Sequence, residues 1–124
     1  MAPLVLLAVA VGGALGAVLR QLTSVNLAGR GRVPLGVLVV NVVGSFIAGV
    51  ALGAPLDPTV QLIIVSGLCG GLTTFSTFAV ETIQLVMAGK HRAALMSVGR
   101  NLVFGIAAAL IGPTLGLSLG ITLA

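Results

Sequence analysis

A soluble chain of 124 residues covers itself with charge, and this one has almost none. Asp, Glu, Lys and Arg together make up 6% of it, where soluble domains carry roughly a quarter. With 58% hydrophobic residues and a mean hydropathy of +1.27, it has no means of building a solvated surface. The sequence therefore reads as an all-α integral membrane protein. A spanning helix takes ~20 apolar residues, so this length holds about four spans joined by short loops. We place them at about 3–23, 35–53, 60–88 and 93–123, in one domain covering 1–124. The first apolar run is too long and too glycine-rich for a cleaved signal, and is taken as the first span.

One stretch breaks the pattern. Gly67-Leu-Cys-Gly-Gly-Leu-Thr-Thr-Phe-Ser-Thr-Phe78 lies inside the third span, with three glycines and four hydroxyl side chains in twelve residues. Hydrocarbon tolerates no loose backbone facing lipid, so such a segment is buried in protein or lines a wet cavity. Interrupted helices of this kind expose carbonyls and amides that ligate ions. The third helix is accordingly expected to break near its middle.

The other spans are rich in small residues. Gly12 and Gly16, with Gly13 and Ala17, make small-xxx-small pairs suited to close helix approach, and Gly112, Gly116 and Gly120 form a groove on the last span. Pro113 should kink that span or mark where it meets the interface. Asn41, Ser45 and Ala48 share a stripe expected to face protein. Asn26 to Arg32 reads as a polar loop, with Pro34 opening the second span.

Charge carries topology. All six basic residues, Arg20, Arg30, Arg32, Lys90, Arg92 and Arg100, fall at one face if four spans alternate. The excess of basic residues marks the cytoplasmic side, which puts both termini outside. There is no basic face and no stacking aromatic beyond four Phe, so nucleic acid is not a partner. The single cysteine, Cys69, forms no intramolecular disulfide and reads as a small packing residue. No paired carboxylates, nucleophile–base pair or metal-ligand cluster supports an enzyme.

A few residues stand out as candidates for ion chemistry. Asn41 offers two N–H donors inside hydrocarbon; they serve either an interhelical hydrogen bond or a permeating anion. Phe75 and Phe78 lie on one helical face with Ser76 and Thr77 between them. They are either core or lipid-facing bulk, or rings whose positive edges attract a small anion without trapping it. Glu81 is the only acid within a span: a functional group, a neutralising partner for Arg20 or Arg100, or a capping group. Arg20 and Arg100 sit near span ends, where they can reach the interface.

Gly12-Gly-Ala-Leu-Gly-Ala17 with Arg20, Pro34-Leu-Gly-Val-Leu-Val-Val-Asn41 with Gly44-Ser-Phe46, and the Gly67–Phe78 stretch with Glu81 resemble the Fluc family of fluoride channels. The resemblance covers the first three spans in order. It implies four-span subunits paired antiparallel in the cell membrane, with two pores that let toxic cytoplasmic fluoride leak out passively. It implies that Asn41 lines a pore, that Phe75 and Phe78 flank the fluoride path, and that the carbonyls of Gly70 and Thr73 hold a structural sodium ion that is not transported. Each pore is then expected to take its asparagine from one subunit and its rings from the other.

Two features depart from the family pattern. Val103-Phe-Gly-Ile-Ala-Ala-Ala109 carries none of the hydroxyls that many relatives supply from the fourth span. An antiparallel homodimer also needs one sequence to insert both ways, which the one-sided basic residues oppose. The expected partner is therefore a paralogous subunit of opposite orientation. A small multidrug exporter would need a carboxylate in the first span, which is absent here. A passive partner subunit explains the glycine grooves but not the polar break.

Overall fold

The computed structural model describes Ala2–Leu27 and Leu35–Leu123, with backbone alone for 121–123. Arg30, Arg32 and Pro34 lie outside the described residues. Four helical spans, each long and apolar enough to cross a membrane, make up the fold. The first is α1 (Ala2–Leu27) and the second α2 (Leu35–Gly53). The third is composite: α3 (Pro58–Leu62), a π-helical segment (Ile63–Cys69) and α4 (Gly70–Leu72), then an interruption, then α5 (Ser76–Met87). The fourth is α6 (His91–Leu123). This is a multi-pass membrane protein whose third helix is broken near its middle. α1 continues past Thr23, so Asn26 is helical rather than part of a loop.

Local chemistry sets the helix ends. Asp57 caps α3 by accepting from the Thr59 amide at 2.8 Å, and Pro58 occupies the first helical position, where a missing N–H costs nothing. Gln61 reaches back from α3 and donates to the Ala51 carbonyl at 3.0 Å, tying the end of α2 to the start of the third span. After α5 the chain turns at Gly89, whose φ of +79° a side chain would strain. The Gly89 and Lys90 amides close the turn onto Val86 and Leu85 carbonyls at 3.0 and 2.8 Å, satisfying the last acceptors of α5.

Helix packing runs through backbone rather than side chains. Along α1, a Cβ on Gly12 would come 3.2 Å from the Leu68 amide nitrogen. One on Gly16 would meet the Leu68 carbonyl and sit 2.7 Å from the Leu72 nitrogen. Gly71 presses in turn on Gly13, so the glycine pairs hold α1 directly against the π-helical segment and α4. On the other side α2 lies along α6. Gly112 approaches Phe46 and Val50 backbone, Gly116 approaches Val50, and Gly120 approaches the Pro55 ring.

Pro113 does not end α6, which runs through it without interruption. The Ala109 carbonyl loses its helical donor to the proline ring and lies beside Gly49 of α2. The buried core is small: Val37, Val40, Ala51, Cys69, Leu72, Ala94 and Ala108. Leucines such as Leu4 and Leu110 point outward, as they do in a chain solvated by lipid.

This packing gives a test. Gly16→Leu forces a side chain into Leu68 and Leu72 backbone, which has no rotamer to yield, and should destabilise the bundle by about 2–3 kcal/mol. Gly99→Ala, where nothing lies within 4 Å of the new methyl, should cost nothing. Reversible unfolding in mixed micelles measures both; equal stabilities would contradict the backbone contact.

A hydrogen-bonded helix break as candidate functional site

The interruption spans Thr73–Phe75. Up to Thr73 the ladder is regular: the Thr73 amide donates to the Cys69 carbonyl at 2.9 Å, and Thr73 Oγ1 donates to the same oxygen at 2.9 Å. The backbone of Thr73 then turns extended, at φ −82° and ψ 156°. A break at this depth strands amides and carbonyls, and each needs a partner.

Asn41 of α2 supplies one. Its Oδ1 accepts from the Thr74 amide at 2.8 Å, and its Nδ2 donates to the Thr74 carbonyl at 3.1 Å. The side chain thus pairs with both backbone groups of one residue, as a neighbouring strand would. Because the backbone amide can only donate and the carbonyl only accept, the orientation of the carboxamide is fixed. Thr74 is 7% exposed, so water does not compete for these bonds.

A second N–H of Asn41 Nδ2 points to Asn101 Oδ1 of α6 at 3.3 Å. Asn101 is held from behind, its own Nδ2 donating to the Ser97 carbonyl at 2.9 Å. Thr74 Oγ1 caps α5 by accepting from the Thr77 amide at 3.1 Å, donates to Thr77 Oγ1 at 3.1 Å, and lies 3.3 Å from Ser76 Oγ. The result is a neutral, hydroxyl- and amide-lined patch at mid-span.

These bonds leave two carbonyls outside the helical ladder. The Thr74 amide, which would have bonded Gly70, goes to Asn41, and the Thr77 amide, which would have bonded Thr73, goes to Thr74 Oγ1. Hard cations take such oxygens. The Gly70 and Thr73 carbonyls are therefore oxygens of the kind a hard cation takes.

Of the residues singled out from the sequence, Asn41, Thr73, Ser76 and Thr77 gather at the break with Gly70. Phe75 and Phe78 form a ring pair 6.0 Å apart, tilted by 55°. Phe75 is 79% exposed and stands off the surface of the chain, while Phe78 is half-buried. Arg20, half-buried on α1, takes no part in this patch. Glu81 Oε2 is buried and meets no hydrogen-bond partner. Among the described residues no ion pair links Glu81 to Arg20 or Arg100, so the neutralising reading, one of three open for this residue, has no contact behind it in the single chain.

Asn101 and Ser97 carry no role in the sequence alone, and Thr74 enters there only as one of the four hydroxyls of the polar stretch. The fourth span lacks hydroxyls over 103–109, yet it contributes polar groups one turn earlier. A carboxamide in an apolar run, with Ser97 four residues before it, was the available signal.

Fold and site together define a multi-pass membrane protein organised around an internal helix break. Residues 7–113 match the family described as CrcB-like protein, Camphor Resistance (CrcB), and the chain belongs to that family. It is 45% identical over 103 residues to the fluoride-specific ion channel FluC of Serratia proteamaculans (strain 568), covering 78% of this chain and 81% of that one. It is 44% identical over 123 residues to FluC 2 of Natronomonas pharaonis, covering 99% and 100%. FluC 1 of Thermobifida fusca (strain YX) is 43% identical over 105 residues, covering 83% and 88%.

Replacing Asn41 by Leu keeps the bulk and strands both Thr74 backbone groups, which should cost about 2–3 kcal/mol. Hydrogen exchange at the Thr74 amide should accelerate in step. Unchanged protection there would mean that the break does not depend on Asn41.

Proposed function

We propose that this chain is a subunit of a fluoride channel that lets cytoplasmic fluoride leave the cell passively. The observation carrying this reading is the neutral donor patch at the break, where Asn41, Thr74, Ser76 and Thr77 meet with no lysine or arginine among them. Fluoride is small, strongly hydrated and a strong acceptor. Neutral N–H and O–H groups replace its water without holding it, whereas a fixed cation would trap it. The outward Phe75, paired with Phe78, supports an aromatic wall whose positive edges face a path shared with a second subunit. The likeness to proteins named fluoride-specific ion channels supports the same conclusion. The activity is conduction, not catalysis.

The subunits pair antiparallel in the cell membrane, and the carbonyls of Gly70 and Thr73 from both subunits hold a sodium ion between them. That ion would supply a fixed charge locking the two breaks together; the anion path itself is made by side chains. Four spans alternate direction, so the end of α1 and the turn at Gly89 lie on one side. With the basic residues gathered there, this chain inserts with both termini outside. Its partner is a paralogous subunit of the opposite orientation, a reading in keeping with the numbered names FluC 1 and FluC 2 among its relatives.

Fluoride efflux from liposomes tests both halves of this proposal. The chain alone should release little fluoride, and co-reconstitution with an oppositely biased paralog should restore release, with chloride retained. Strong efflux from the lone chain would overturn the heteromeric partner. Absence of fluoride release in every combination would overturn the channel.

A further inference from the structure

The geometry points to a role for Asn101: its side-chain oxygen is an internal stand-in for the permeating anion, and it sets how tightly the path holds fluoride. This inference rests on the fluoride reading above. Asn41 has two N–H groups on Nδ2. One is committed to the Thr74 carbonyl at 3.1 Å, within the pairing that holds the break open. The other is the only one available to a passing ion, and in this structure it points at Asn101 Oδ1, at 3.3 Å. That bond is the longest of the Asn41 set, and the one whose loss leaves the Thr74 pairing intact.

Asn101 is built to present oxygen rather than nitrogen. Its Nδ2 is tied to the Ser97 carbonyl one turn back, at 2.9 Å, in a segment where Ser97 is 2% exposed. Turning the carboxamide over would set its oxygen against that carbonyl, acceptor facing acceptor, so the ring of donors and acceptors allows one orientation. The available donor of Asn41 is therefore never left unpaired in a low-dielectric site, where an orphan N–H is costly. When fluoride arrives it takes the N–H from a neutral oxygen. The exchange is one acceptor for another, and binding is weakened by the bond that fluoride displaces. Weak binding of this kind is what conduction requires. α6 thus contributes a positioning residue to the path even though 103–109 bears no hydroxyl.

The test is the concentration dependence of fluoride efflux from liposomes for wild type, Asn101→Leu and Asn101→Asp, reconstituted with whichever partner wild type needs to conduct. Removing the oxygen frees the donor, so Asn101→Leu should lower the half-saturating fluoride concentration about fivefold, the worth of one neutral hydrogen bond. Asn101→Asp loses the anchoring bond to the Ser97 carbonyl but keeps an oxygen that can turn to the Asn41 N–H and gives it charge, and should raise that concentration. Asn101→Ala serves in place of the leucine variant if that one does not assemble. Opposite shifts from Leu and Asp support the inference, because a residue that merely braced the bundle would lower the maximal rate in both. Half-saturation unchanged, or moved the same way by both, overturns it while leaving the channel reading standing. Wild type that releases no fluoride with any partner overturns both.

Discussion

Everything in this structure depends on the pairing between the Asn41 carboxamide and the backbone of Thr74. A membrane helix cannot simply stop and restart, because hydrocarbon offers its stranded amides and carbonyls nothing. Two bonds of 2.8 and 3.1 Å from a neighbouring helix make the interruption tolerable. They also divert the Thr74 amide from Gly70, releasing a carbonyl, and leave Thr74 Oγ1 free to start α5 by capping Thr77. One side chain therefore opens the helix, exposes its oxygens and restarts it.

The glycines make that pairing possible. Because Gly12, Gly13 and Gly16 bring α1 onto the backbone of Gly67–Leu72, the first half of the third span is clamped from one side. Gly44 of α2, one turn beyond Asn41, receives the Thr73 methyl from the other. The π-helical stretch Ile63–Cys69 adds residues to the turn count just before the break, rotating α4 and the Thr73–Phe75 interruption relative to a regular helix. Close packing on both sides fixes where Thr74 sits, and Asn41 meets it there.

Much of this was legible in the residues. Scarcity of charge gave four spans, the glycine and hydroxyl cluster gave the break, and small-residue spacing gave the faces that meet. What was not legible lies in contacts between distant parts of the chain. The bonds of Asn41 to Thr74 and to Asn101 link residues 33 and 60 apart, and no local pattern announces them. Asn101 directly follows Arg100, and beside a charge near a span end a carboxamide looks no different from one solvated at the interface. The π segment falls in Ile63-Ile-Val-Ser-Gly-Leu-Cys69, an apolar run with no feature that distinguishes one helical pitch from another. An ion pair, one of the three readings of Glu81, is not found among the described residues of the single chain, because a charge pattern along the sequence does not say which helix faces meet.

The arrangement also gathers neutral donors at one place, as the proposed anion path requires. The break supplies hydroxyls and amides, Phe75 stands exposed beside it, and among the described residues no Lys or Arg makes a hydrogen bond or ion pair with that patch, even though Arg100 directly precedes Asn101. The most direct measurement is the side-chain ¹⁵N resonance of Asn41 in lipid, titrated with fluoride and with chloride. A saturable shift of that resonance is expected with fluoride alone, while the Thr74 backbone amide stays in place. A resonance indifferent to fluoride, or one that follows chloride equally, would contradict it.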